Sequence, residues 1–274
     1  GAADMGTGCD TILAQMVAEH MECPVDNIYV FGADTDASPY DSGSYASSTT
    51  YVTGMAVEKA CDQLKERLCA IAAGILACDA SELQFEGGCV RRASTGQAVP
   101  LTDIAEKSQC NNNLPAEATA THSSPVSPPP FMVGMAEIEL DRETGVVEVL
   151  DYAAVVDCGI PINPALARIQ VEGGIVQGIG HTLMEDVTRT PKGKIRESSL
   201  FTYRLPTRLD TGRLNVEFEH SYEPTGPFGA KSIGEIVINT PAPAIVQAIY
   251  RATGVWHREL PVLPEHILLA KPEG

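Results

Sequence analysis

Residues 131–159, "FMVGMAEIELDRETGVVEVLDYAAVVDCG", alternate apolar with polar side chains on both sides of the turn "DRETG" at 141–145. Successive side chains of a strand point to opposite faces, so this alternation around a short Asp- and Gly-containing turn predicts an antiparallel hairpin. Downstream, "ALARIQVEGGIVQGIGHTLMED" (165–186) reads as a helix that carries Gly173, Gly174, Gly178 and Gly180. Each glycine weakens a helix by up to about 1 kcal/mol, so their number implies close approach of another backbone or a ligand. "LNVEFEHSY" (214–222) predicts a further strand. "TPAPAIVQAIYRATG" (240–254) predicts a closing helix with Thr240 as N-cap, Pro241 at the first helical position and Gly254 as the stop.

Upstream, "GAADMGTGCDTILAQMVAEHM" (1–21) reads as a glycine turn and then a helix capped by Asp10 or Thr11. "NIYVFGAD" (27–34) predicts a short buried strand, and a polar loop of small residues leads into a long amphipathic helix over about 52–76. "ELQFEGGCVRR" and "GQAVPL" predict a hairpin, whereas 111–130, rich in Pro, Ser and Asn, has no regular pattern. The expected class is α+β, since the elements lack a βαβ rhythm and no internal repeat is visible. The expected domains are 1–110, a connection at 111–130, and 131–274.

Composition narrows the function. Nineteen basic against 36 acidic residues give a formal charge of −17, which repels nucleic acid backbones and anionic lipid surfaces. No stretch approaches the roughly 20 apolar residues of a membrane span, and the first residues lack the pattern of a signal peptide, so the expected compartment is the cytoplasm. The eight cysteines never occur as C-x-x-C, and Cys61, Cys69, Cys78 and Cys89 are too widely spaced for zinc or iron–sulfur ligation; they read as buried thiols. His181 and His220 stand apart from other ligand types, and no metal site built from this chain's own side chains is expected. The chain begins without an initiator Met and already within a turn, which reads as a fragment or as one subunit of a split enzyme.

Three stretches are candidates for chemistry. "GTGCDT" (6–11) puts small residues before a helix start, where backbone N–H groups can meet an anion, although a tight strand-to-helix turn explains it equally and a Rossmann fingerprint lacks its third glycine. "YASSTT" (45–50) sets four Ser and Thr hydroxyls before the longest helix, where the positive pole and such donors suit a phosphate; simple capping needs one of them. "GPFGAKSIGE" (226–235) misses the phosphate-loop pattern at Ala230, and Gly229 and Gly234 disfavour a helical Lys231–Glu235 pair. What remains is a glycine-shaped loop that holds one carboxylate against apolar surroundings, with burial and Lys231 pulling its pKa in opposite directions. Such opposed pressures are common at catalytic bases.

Taken together, "GAADMGTGCDT", "DTDASPYDSGSYASSTTYVTGMAV", "VVDCGIPINPALARIQVEGGIVQGIGHTLMED" and "GPFGAKSIGEIVINTPAPAIVQAIYRATG" resemble the molybdenum hydroxylases, the family of xanthine dehydrogenase, aldehyde oxidase and nicotinate dehydrogenase, in the order that family keeps them. The resemblance covers nearly the whole chain. It implies the C-terminal half of a molybdopterin-binding subunit, built as two mixed α/β subdomains. It also implies an oxidoreductase that hydroxylates an N-heterocycle, of purine or nicotinate type, or an aldehyde, with water as oxygen source. By correspondence Glu235 is the active-site base; Ala46, Ser47, Ser48 and Thr49 grip the cofactor phosphates together with Gly6, Thr7 and Gly8; Gln177 lies beside the pterin; and Lys231 joins this set as the residue that holds the loop. Thr7 stands where many members carry Gln. The implied cofactor is molybdenum-molybdopterin in the cytosine dinucleotide form. The implied partners are an N-terminal molybdopterin-binding half or subunit and chains that carry iron–sulfur clusters and FAD. The competing reading is a non-catalytic acidic α+β module that binds phosphate or serves as a scaffold.

Overall fold

The computed structural model describes residues 1–110 and 115–270, so residues 111–114 of the expected connection lie outside the described residues. The chain forms two compact units, one of 1–128 with 223–230 and the other of 129–222 with 231–274.

In the first unit, helix α1 (Cys9–His20) and the long helix α2 (Gly54–Leu76) are followed by strands β1 (Leu83–Glu86), β2 (Cys89–Arg92) and β3 (Ala98–Pro100) and by helix α3 (Leu101–Cys110). The strands make an antiparallel meander in the order β1-β2-β3, so the expected hairpin gains a third strand. Its first turn is Gly87–Gly88, both with positive φ, as a two-residue turn that matches the strand twist requires. Leu68, Ile71 and Ala72 of α2 pack with Leu83, Val90, Val99 and Ile104 into one apolar cluster. Segment 223–230 belongs here because it lies along α2. Pro227 fits over Gly54, where an added Cβ would stand 2.7 Å from its ring, the Phe228 N–H donates to the Glu58 carboxylate at 3.2 Å, and the Tyr51 and Thr225 hydroxyls meet at 2.7 Å.

Two expectations for this unit are corrected. Residues 28–31 form no strand; Tyr29 and Phe31 are exposed, and no neighbouring strand supplies the ladder that apolar pattern alone cannot create. Helix α1 is capped by Gly8 at φ 80°, not by Asp10 or Thr11. The side chain of Asp4 reaches forward and takes over the capping role, accepting the N–H groups of Gly6 at 2.8 Å, Gly8 at 3.1 Å and Asp10 at 3.3 Å.

The second unit is built on the expected hairpin, β4 (Phe131–Leu140) antiparallel to β5 (Val147–Asp157), with β6 (Arg213–Phe218) added parallel to β5. Helices α4 (Pro164–Leu183) and α5 (Pro241–Thr253) contribute Val171, Ile175, Ile179, Ile245 and Ile249 to a core with Tyr152, Ala154, Val156 and Val216 of the sheet. Asn163 caps α4 by accepting the Leu166 N–H at 3.1 Å, and Arg168 ties the helix to β6 through the Val216 carbonyl at 2.6 Å. Thr240 precedes α5 as expected but its hydroxyl makes no cap; it accepts the Tyr152 hydroxyl at 2.8 Å, a contact that a side chain at Gly134 would obstruct. Along the other face of the sheet, Phe131, Val133 and Met135 of β4 and Val155 of β5 are exposed.

The glycines of α4 divide by what they face. A Cβ on Gly174 would overlap Val237, and one on Gly178 would stand 2.5 Å from Pro241, whereas Gly173 has nothing within 4 Å. Gly174→Ala is expected to destabilise the chain by about 1–3 kcal/mol through overpacking. Gly173→Ala is expected to stabilise it by about 0.5–1 kcal/mol through helix propensity. Thermal melts of the two variants should therefore shift in opposite directions.

Candidate active site

The first unit holds two of the candidate stretches. Before α2 the chain makes a one-turn 3-10 helix, Tyr45–Ser47, and then a π-helical turn, Thr49–Thr53. Ala46 and Ser47 have φ of 51° and 56°, a conformation that non-glycine residues adopt at a cost and that concentrates at ligand-binding loops. Successive amides turned this way before a helix start form a concavity that suits an anion. Ser48 donates to the Gly43 carbonyl at 3.1 Å and Thr49 to the Ser44 hydroxyl at 2.7 Å, so both hydroxyls are oriented by the loop itself.

At Gly6, Thr7 and Gly8 the expectation of free amides is corrected. Asp4 fills the anion position with the chain's own carboxylate, and these amides hold its pKa below the ordinary value against the opposing effect of its surroundings. Thr7 itself is exposed. Asp4, Cys9 and Asp10 place ligand atoms within 4.8 Å of one another. Burial and the two carboxylates push the Cys9 thiol up to about 11, so it is protonated at neutral pH.

The second unit holds Gln177, Lys231 and Glu235. Gln177 is exposed on α4, between the close-packed positions 174 and 178. Glu235 precedes a one-turn 3-10 helix, Ile236–Ile238, whose Val237 is buried against Gly174. The expected apolar enclosure of Glu235 is corrected. The side chain is exposed, while Ile233, Ile236 and Val237 turn into the core. The Lys231 ammonium bridges the Asp157 carboxylate at 2.7 Å. Asp157 also accepts the Ser221 hydroxyl and, at 3.0 Å, the Gly159 N–H. Burial raises the Asp157 pKa, yet Lys231, Ser221 and Gly159 outweigh it and leave the carboxyl below its ordinary value. An open groove lined by Leu183, Met184, Phe201, Tyr203 and Val262 includes none of the candidate residues.

Residues 1–212 match the family model described as "Molybdopterin cofactor-binding domain". The chain belongs to that family. The molybdopterin cofactor-binding chain is 35% identical over 272 residues to the Escherichia coli K12 protein named "Probable hypoxanthine oxidase XdhD", covering 98% of this chain and 28% of that protein. It is 33% identical to the xanthine dehydrogenase molybdenum-binding subunit of Escherichia coli O157:H7, over 97% of this chain and 36% of that one. Among solved structures, quinoline 2-oxidoreductase from Pseudomonas putida 86 superposes with a TM-score of 0.87 at 28% identity, over 99% of this chain and 36% of that chain. The chain therefore spans about a third of the length of the relatives it matches. The match favours cofactor binding over the scaffold reading. No helix of the described residues is long and apolar enough to cross a membrane.

Sequence reasoning missed Asp4, Glu58 and Asp157. The signal for Asp157 was present in "VVDCG", where one acid ends an apolar strand, but its partner is 74 residues away. Asp157→Asn is expected to lower stability at neutral pH. Because the folded pKa is depressed, the ionised carboxylate stabilises the fold above 3.8, its ordinary value, and loses that contribution as pH falls through the folded value. The melting difference between wild type and the Asn variant should be constant from pH 7 to about 5 and shrink on further acidification.

Proposed function

We propose that this chain is part of the catalytic, molybdopterin-binding subunit of a cytoplasmic oxidoreductase that hydroxylates an N-heterocycle of purine or nicotinate type, or an aldehyde, with oxygen taken from water. The single observation that carries the catalytic reading is the exposed carboxylate of Glu235 on a loop whose apolar neighbours are anchored in the core. A general base must reach its proton while its backbone is held still, and this arrangement supplies both conditions.

The Ala46–Thr49 loop fits the phosphate end of the cofactor, since it offers turned amides, oriented hydroxyls and the positive pole of a helix. Gln177 would lie beside the pterin and Thr7 near a phosphate, while Gly6 and Gly8 shape the turn that Asp4 fastens. Lys231 acts on the loop rather than on the cofactor. Molybdopterin, when bound, supplies the redox centre for a two-electron oxidation. Glu235 would accept the proton of the water-derived oxygen as general base. The reading includes the cytosine dinucleotide form of the cofactor, a further molybdopterin-binding half or subunit, and partner chains that carry iron–sulfur clusters and FAD as electron carriers. The names of relatives that act on hypoxanthine, xanthine and quinoline support the heterocycle class.

In the enzyme assembled with its partners, turnover of at least one of hypoxanthine, xanthine, quinoline, nicotinate or benzaldehyde with an artificial electron acceptor is expected. Glu235→Gln should retain molybdenum and lower kcat by about 10²- to 10⁴-fold. Normal molybdenum with turnover within a few-fold of wild type would remove Glu235 from the base role.

Ser48→Asp sets a negative charge against the proposed phosphate position at the start of the helix. This variant is expected to lose most of its molybdenum and nucleotide while its circular dichroism stays that of the wild type. Full cofactor content in the variant would count against the loop as the anion site.

A further inference from the structure

Residues 231–235 carry Glu235 on five residues without helix or strand, and Gly234 adjoins the glutamate. Two clamps restrain them. Upstream, Lys231 is fixed twice to the end of β5. Its backbone N–H donates to the Cys158 carbonyl at 2.7 Å, and its ammonium bridges Asp157 at 2.7 Å with both side chains more than four-fifths buried. The ammonium also lies 5.9 Å from the centre of the Phe131 ring, which sits opposite Asp157 in the β4–β5 ladder. Asp157 is itself pinned by Ser221 and Gly159. Downstream, Val237 is seated where α4 has no side chain, at Gly174.

We propose that Lys231 and Asp157 are positioning residues whose ion pair, working with the Val237 seat, sets the place of the Glu235 carboxylate. The proposal rests on the reading of Glu235 as the base. The pair joins a strand end that is firmly laddered to a loop that is not, so it transfers the order of the sheet to the glutamate. An ammonium and a carboxylate largely removed from water hold their geometry better than an exposed pair, because solvent competes less for each partner. Proton transfer depends steeply on placement, and a displacement of about 1 Å can cost roughly 10²-fold in rate. Lys231→Met keeps the length and apolar stem of the side chain but removes the bridge. Lys231→Arg keeps a cation able to reach the same carboxylate.

The test uses the assembled enzyme and whichever heterocycle of the set above the wild type turns over fastest. Lys231→Met is expected to keep molybdenum content and KM while kcat falls about 10- to 100-fold, and Lys231→Arg is expected to recover to within about threefold of wild type. In the Glu235→Gln background, Lys231→Met should cost nothing further, because Lys231 acts through the carboxylate that is already gone. Independently of turnover, exchange of the residue 231 amide, which donates to the Cys158 carbonyl, should accelerate at least about tenfold in Lys231→Met, by a larger factor than the β4 and β5 amides. Wild-type kcat in Lys231→Met, additive losses in the double variant, exchange at residue 231 that rises no more than that of the β4 and β5 amides, or loss of molybdenum in parallel with kcat would each overturn the positioning role. If Glu235→Gln itself turns over normally, the base reading fails and this inference fails with it. If Glu235→Gln is inactive while Lys231→Met is not, the positioning role alone fails.

Discussion

The second unit depends on how closely a helix lets other chain segments approach it. At Gly174 and Gly178 the axis of α4 comes within contact of Val237 and of Pro241, the first residue of α5. A methyl group at either place would push these segments away, and with them the loop that ends in Glu235. Four glycines cost a 20-residue helix some of its intrinsic stability. The buried row Val171, Ile175 and Ile179 offsets that cost through packing, so tertiary contact rather than propensity maintains α4.

Close approach recurs in the first unit with different chemistry. Gly54 at the start of α2 admits Pro227, and Glu58 one turn later accepts the N–H of Phe228, a residue held at φ 50°. Each unit thus anchors part of the stretch 226–238 on a bare helix position and a carboxylate. Asp157 serves in the second unit where Glu58 serves in the first. The carboxylates work here as acceptors that fix backbone or ammonium groups, and the same device appears again where Asp4 gathers the amides that begin α1.

Much of this was legible because it is periodic or punctuated. The β4–β5 hairpin follows from alternation around "DRETG", α5 from Pro241 and Gly254, and the close contacts of α4 from its glycines. Other features have no local signature. "NIYVFGAD" has the composition of a strand, but a strand exists only where a ladder partner lies beside it. The place of 223–230 depends on partners about 170 residues earlier, which no window along the chain can reveal. The left-handed turn at Ala46 and Ser47 carries no glycine to announce it. The "GTG" amides looked available because Asp4, three residues before Thr7, gave no sign in composition that its side chain would fold over them.

The outer face of the hairpin bears on the handling of this protein. Phe131, Val133, Met135 and Val155 form an oily strip on a molecule whose charge of −17 keeps copies apart at neutral pH. That repulsion is colloidal and depends on ionisation, so it fades as the solution approaches the isoelectric point near 4.7. Close to that pH, with salt present to screen what charge remains, electrostatic repulsion no longer opposes contact between such exposed apolar strips.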